Sequence, residues 1–159
     1  MQNPTSSLSL TLSLGAYTAG MCIGGVLQLA VEKYRCLALE GLTINDSDNK
    51  KAPLDFLFFD QAPTGTFTDA ATPTISAADC AKVIARHSVA AADYLTLGGV
   101  AVATQANLNK IIAGLAQVGT LYIVVLLASG ASSTTWTGAS NLTIRPCLKH
   151  VPFITSFTK

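Results

Sequence analysis

The clearest pattern in the chain is a strict alternation near its start. Leu8, Leu10, Leu12 and Leu14 alternate with Ser7, Ser9, Thr11 and Ser13. Successive side chains of a β-strand point to opposite faces, so this stretch predicts a half-buried strand with one apolar face and one hydroxyl face. Gly15 ends it, and residues 17–20 read as a turn. Residues 21–31 are the next apolar run and contain Gly24-Gly25, which predicts a bulge or a close backbone approach inside a strand. Residues 34–44 follow, with Leu37, Leu39 and Leu42 as expected core positions. The polar stretch 45–50 (NDSDNK) is turn-forming, because Asn and Asp side chains bond back to their own backbone. Pro53 opens a short strand over 54–60, a position where the missing N–H is tolerated.

Residues 61–73 form a longer loop with Pro63, Gly65 and Pro73. Ser76 and Asp79 have the spacing of a capping box, and Ala81, Val83, Ile84 and Ala85 extend the predicted helix to about Arg86. Strand signals return at 88–97 and 100–104, while 108–115 fits either a short strand or a helical turn. Residues 120–129 are a continuous β-branched run, which predicts a central strand buried on both faces. Residues 129–140 are a Gly/Ser/Thr-rich loop carrying the sole tryptophan, Trp136. Alternation resumes at 141–149 through Leu142, Ile144 and Leu148, and the tail holds Pro152, Phe153 and Phe157. About eight strands separated by turn signals, with one short helix in a connection, predict an all-β fold: an antiparallel, jelly-roll-like β-sandwich. Residues 1–159 read as a single domain. The segments 1–7 and 151–159 are candidate arms that add strands to a neighbour, with frayed termini as the alternative.

Composition narrows what such a sandwich does. Half the residues are hydrophobic and 12% are charged, against about a quarter charged in ordinary soluble domains. A surface so poor in ions belongs either in a membrane or under partners. The longest apolar run, 121–128 (LYIVVLLA), falls far short of the roughly 20 residues of a spanning helix. No basic residue precedes Leu8 and no solid apolar block follows, so no export signal is expected. Ten basic and nine acidic residues are spread thinly, and Lys50-Lys51 is the sole adjacent basic pair, so direct nucleic-acid binding is not expected.

The residues offer little chemistry. Cys22, Cys36, Cys80 and Cys147 lack the close pairs of zinc sites. They are expected as buried thiols, with a Cys22–Cys36 disulfide as the alternative. His87 is expected to end the helix and His150 the last strand, both as solvated element ends. No serine lies in a G-x-S-x-G elbow. Asp46 and Asp48 lack the remaining ligands of a calcium loop and read as an Asx-rich turn. Asp55 and Asp60 flank an apolar run at roughly 16 Å, on opposite faces, and read as strand-end charges. Gly24-Gly25 and Gly98-Gly99 lack the Lys-Ser/Thr ending of a phosphate loop and are expected as bulges or turns. The chain is therefore expected to be non-enzymatic, with no catalytic residue, cofactor or metal. Its candidate interface residues are Leu8, Leu10, Tyr17, Trp136, Phe153 and Phe157. A loop Trp136 beside Tyr94 and Tyr122 would also suit a sugar-stacking module.

Several phrases occur in a particular order. Tyr17-Thr18-Ala19-Gly20 precedes Gly24-Gly25, and residues 54–60 lead into Pro63-Thr64-Gly65-Thr66-Phe67-Thr68-Asp69. Residues 75–79 (ISAAD) come next, then 121–130, then Leu142-Thr143-Ile144-Arg145. In this order, over about 17–148, the chain resembles the head decoration (cement) proteins of tailed bacteriophages. The resemblance implies a β-sandwich subunit that self-associates, as trimer or dimer, on the outer surface of a capsid built from a different major capsid protein. It implies a virion location after synthesis in the host cytoplasm, and no catalytic residues. The sequence departs from the pattern at Tyr34-Arg35-Cys36 and in its longer tail after His150. A tail, fibre-base or capsid-spike protein is the alternative within the virion, and a carbohydrate-binding β-sandwich module the alternative outside it.

Overall fold

The structure, a computed structural model, describes residues 7–32, 36–112 and 119–151. Its strands are β1 (Leu8–Ser9), β2 (Cys22–Ala30), β3 (Cys36–Asp46), β4 (Leu54–Phe59), β5 (Val83–Val89), β6 (Tyr94–Leu97), β7 (Val100–Gln105), β8 (Lys110–Ile112), β9 (Thr120–Leu127) and β10 (Leu142–Val151). One helical turn, α1 (Ala77–Cys80), lies between β4 and β5. All pairings are antiparallel, and they nest. β4 pairs with β5, β3 with β7, β2 with β9 and β1 with β10. The chain is in effect one long hairpin, with the long β4–β5 connection at its tip, rolled so that the strands close side by side. The further pairings β3–β10 and β4–β9 complete two sheets, ordered β1-β10-β3-β7-β6 (with β8 also on β3) and β2-β9-β4-β5. That nesting is the jelly roll which the alternation predicted.

Local sequence explains most of the elements. Leu10 and Leu12 stay buried beyond the end of β1 while Leu14 is 63% exposed, so the alternating face is real but its regular pairing is short. Gly24 and Gly25 both have φ of +75°, and the β2–β9 register shifts there. A Cβ at Gly24 would lie 2.9 Å from that of Leu10, so the predicted bulge is also a close backbone approach. Leu37, Leu39 and Leu42 are all core, although 39 and 42 differ in strand parity. A bulge opposite Cys147/Leu148 makes this possible, because it leaves Glu40 without a register partner. Gly98 (φ 58°) and Gly99 (φ 101°) form the two-residue turn of the β6–β7 hairpin.

β9 is central, between β2 and β4. Its Leu121, Ile123, Val125 and Leu127 face the core between the sheets. Val124 points the other way, into a second cluster with Cys22, Phe59 and Phe67. Phe67 comes from the loop after β4 and meets Phe59 edge-on at 5.9 Å. The loop thereby covers part of the outer face of the four-stranded sheet, so β9 is buried on its core face and at Val124 on the other, where Tyr122 and Leu126 remain half-buried.

The predicted helix is corrected in length. Its capping box is present: Asp79 N donates to Ser76 Oγ at 3.1 Å, and Ser76 N donates back to the Asp79 carboxylate. The helix nevertheless ends at Cys80, and Val83 opens β5. A single turn has little stability of its own. The β-branched Val83 and Ile84 suit a strand, and pairing with β4 satisfies a full row of backbone groups. The predicted strand 88–97 is likewise divided, by a 3-10 turn at Ala91–Asp93.

Candidate interaction surface

Of the six residues picked as interface anchors, the structure places three inside the chain's own core. Leu10, Tyr17 and Trp136 are at most 1% exposed. Leu8 is half-buried and packs on the same core. Phe153 and Phe157 lie outside the described residues, as does the side chain of His150. The indole of Trp136 meets Tyr17 edge-on at 5.2 Å, and its Nε1 donates to Asp46 Oδ1 at 3.2 Å. Trp136 turns inward as the largest fully buried side chain, while most of its loop, including Ser132, Ser133, Thr135 and Thr137, stays exposed. The same burial removes Trp136 as a sugar-stacking platform.

Asp46, Asp48 and Asp69 act as loop knots, and Asp55 joins β4 to β5. The Asp46 carboxylate accepts from Asp48 N, Lys51 N and Trp136. Asp48 accepts from the backbone and hydroxyl of Thr137 and from Asn141 Nδ2. Asp69 accepts from Ser13 N, Tyr17 Oη and Gly24 N. Asp55 takes Arg86 at 3.1 Å and the Ser88 hydroxyl. These donors are N–H and O–H groups already aimed at the carboxylates, which suits backbone fastening. Among the described residues no group of three His, Cys, Asp or Glu is placed to hold a metal ion.

Asp79 is the deepest of these acids, fully buried, and accepts from Thr64 N, Thr64 Oγ1, Ser76 Oγ and Lys82 Nζ. The backbone N–H of Thr64 is the main reason its carboxyl is held well below the usual range, with the hydroxyls and Lys82 adding to it against the opposing effect of burial. A depressed folded pKa contributes stability above the unfolded value of about 3.9, lost as pH falls from there toward the folded value. The melting temperature is therefore expected to drop steeply on acidification below about pH 4. A thermal-melt series from pH 6 to pH 2 checks this, and Asp79→Asn should flatten the acid limb.

His87 is not a solvated helix end. It sits within β5, is 8% exposed and faces between the sheets, opposite Phe56 of β4. Its Nε2 contacts Gln105 Oε1, and Gln105 Nε2 donates to Asp93 Oδ2 at 2.8 Å. This chain ties β5 to β7 across the mouth of the sandwich. Cys22 is a buried free thiol, pushed up to about 11 chiefly by burial. Cys80 is exposed and Cys147 half-buried, which corrects the expectation of uniformly buried thiols, and the side chain of Cys36 is outside the described residues.

What the structure leaves outward is the far face of the six-stranded sheet. The pairing registers align Ser9, Thr143, Asn45, Val102 and Leu95 in one row across β1, β10, β3, β7 and β6. Arg145, Thr43 and Thr104 form the next outward row. Arg145 is the sole charge in the two rows, and the other polar members are neutral hydroxyls and an amide. At the β6–β7 end the face turns apolar. Leu95 is 64%, Leu97 51% and Val100 38% exposed. These are three of the five most exposed large hydrophobic side chains among the described residues, so the apolar surface is concentrated there. A shallow open cleft of about 290 Å3 lies beside these rows, above Gly41 and Cys147.

The hairpin leucines escaped the sequence reading because both parities of 94–103 are mostly apolar. Alternation therefore did not tell inside from outside. The one usable signal was size. Ala101 and Ala103 face in, and the larger Val100 and Val102 face out.

No protein-family model and no curated protein matches the chain. A solved structure of Desmodium yellow mottle tymovirus is similar over 98% of this chain and 88% of that one, at 13% identity and a TM-score of 0.26. A likeness at that TM-score decides nothing about the role of this chain, and the jelly-roll assignment rests on the strand pairing itself. Among the described residues, no helix is long and apolar enough to cross a membrane.

Proposed function

We propose that the chain is a non-enzymatic structural protein of a virion, and more narrowly a decoration protein on the outer surface of a tailed-phage head. In this reading it staples the shell through contacts with the major capsid protein and with copies of itself. The observation that carries the reading is the outward face of the six-stranded sheet, where two rows spanning up to five strands hold a single charge and the Lys149–Glu40 ion pair lies further along β10 and β3. Covering such a face costs little, because almost no ion has to be stripped of water. Apolar contact stabilises by about 25 cal/mol per Å2, so a modest contact repeated at every subunit adds up over a shell. The jelly roll supports the reading, since that fold recurs in viral capsid domains, although it also serves lectins and cupins. The use of the carboxylates as loop knots supports the non-enzymatic part.

The test is immunogold labelling of particles purified from cells that make the chain. Regularly spaced label over the particle surface is the expected result. Label confined to one vertex moves the protein to the tail or a spike. Unlabelled particles, with the chain recovered only free, overturn the virion reading.

A further inference from the structure

We propose that β6 is a self-pairing edge: it docks antiparallel against β6 of a second copy of this chain, about a twofold axis, and joins two six-stranded sheets into one. The inference deepens the reading of the chain as a self-associating structural subunit and rests on it.

The case begins with how the five outer strands are treated, of which β8 is three residues long and carries Lys110. Exposed edge strands invite pairing, and proteins blunt them with charge, proline, bulges, brevity or a covering loop. The β2 edge is bulged at its glycine pair and covered: Cys22 N donates to Ala71 O, and Ala70 N donates to Cys22 O, both at 2.9 Å. β5 carries Arg86 and His87, and its Arg86 carbonyl is taken by the Lys110 ammonium. β1 is two residues long. β6, at four residues, is longer than β1 and lacks the other devices, having no charge, proline or bulge. It reads Tyr-Leu-Thr-Leu, and among the described residues nothing pairs on its outer side.

The geometry suits a copy of itself. The two-residue turn makes Leu97 and Val100 a hydrogen-bonded pair, so by alternation Thr96 aims its N–H and C=O away from β7. Two Thr96 residues related by a twofold axis would exchange both bonds. Leu95 and Leu97 of each copy then meet on the outward face, where they are 64% and 51% exposed in the single chain. An isologous contact needs a surface complementary to itself, and a neutral strand with free backbone groups meets that condition without opposed charges. The strand is short, so a single pairing is weak and gains strength when each subunit is also held elsewhere.

Sedimentation equilibrium of the full chain over a wide concentration range tests the proposal. Wild type is expected to associate reversibly. Thr96→Pro removes the outward N–H at an edge position that tolerates proline, and Leu95→Lys with Leu97→Lys sets four positive charges face to face across the pair. Each variant should raise the dissociation constant at least tenfold and leave the unfolding midpoint close to wild type. Leu14→Lys alters an equally exposed leucine beyond β1 and should change nothing. A wild type that stays monomeric, association indifferent to both β6 variants, or equal loss in the Leu14 variant overturns the proposal. Particle labelling is read separately. Labelled particles with indifferent β6 variants remove only the pairing, and intact pairing with unlabelled particles removes only the virion reading.

Discussion

Trp136→Ala is expected to lower the unfolding free energy by about 3–5 kcal/mol, the range for deleting a fully buried large aromatic. The indole is wholly enclosed, packs edge-on against Tyr17 and donates to Asp46. Its removal opens a large cavity and takes one of three donors from a buried carboxylate. Domains of this size are commonly stable by only about 5–15 kcal/mol, so the variant should lie close to unfolding at room temperature. Trp136→Phe keeps most of the volume and loses the N–H bond, and should cost about 1–2 kcal/mol. Urea titration followed by far-ultraviolet circular dichroism measures both. Because the chain has one tryptophan, native fluorescence gives an independent reading: emission should be blue-shifted and move red on unfolding. A solvent-like native spectrum, or an alanine variant as stable as wild type, would contradict the burial of the indole.

The second large effect is expected at Asp69. This residue, in the loop between β4 and α1, fastens the segment from Ser13 to Gly24 to its own loop at three points. It accepts from Ser13 N at 2.6 Å and from Tyr17 Oη at 2.8–2.9 Å, and from the N–H of Gly24 in the β2 bulge. Burial pushes the Tyr17 phenol up to about 12, and the Asp69 charge acts in the same direction, so the hydroxyl remains a donor at neutral pH. Asp69→Ala takes the carboxylate from three donors, of which Ser13 N keeps Tyr17 Oη at 2.9 Å while Gly24 N and the phenol lose their main acceptor, and should cost about 2–3 kcal/mol, since each part-buried unpaired group costs about 1 kcal/mol or more. Tyr17→Phe should cost about 1 kcal/mol. The double variant should cost less than the sum, because both remove the same bond. Strict additivity in that cycle would show that the phenol–carboxylate contact contributes nothing.

The Asp69 knot also shows how far the chain could be read without its structure. Tyr17, Gly24-Gly25 and Asp69 all appear in the phrases that carried the resemblance, yet nothing in their spacing showed that they converge. They are brought together across 52 and 45 positions of sequence by the pairing of β2 with β9 and by the loop that covers β2. The capping box at Ser76 and Asp79 was readable because its partners are three residues apart. The point where that helix stops was not readable. It depends on β4 offering Val83 and its successors a row of backbone partners, and no local propensity encodes that.

The candidate surface divides in the same way. The Leu/Ser alternation at 8–13 correctly predicted that hydroxyl side chains turn outward, and Ser7, Ser9 and Thr11 are exposed while Leu10 and Leu12 are buried. The choice of Leu10, Tyr17 and Trp136 as anchors failed for a physical reason. A large apolar side chain in a polar loop fits an exposed anchor or an inward fold equally well, and only the cavity it fills tells them apart.

The sequence by itself determined the all-β class, the central β9, the bulge at Gly24-Gly25 and the tight turn at Gly98-Gly99. Each follows from side-chain period or from backbone angles that a residue carries with it. Tertiary structure alone decided the nested pairing, the burial of Trp136 and His87, and the exposure of Leu95 and Leu97. Those depend on which strand lies beside which, and the free energy of that choice is spread over contacts between residues far apart in the chain.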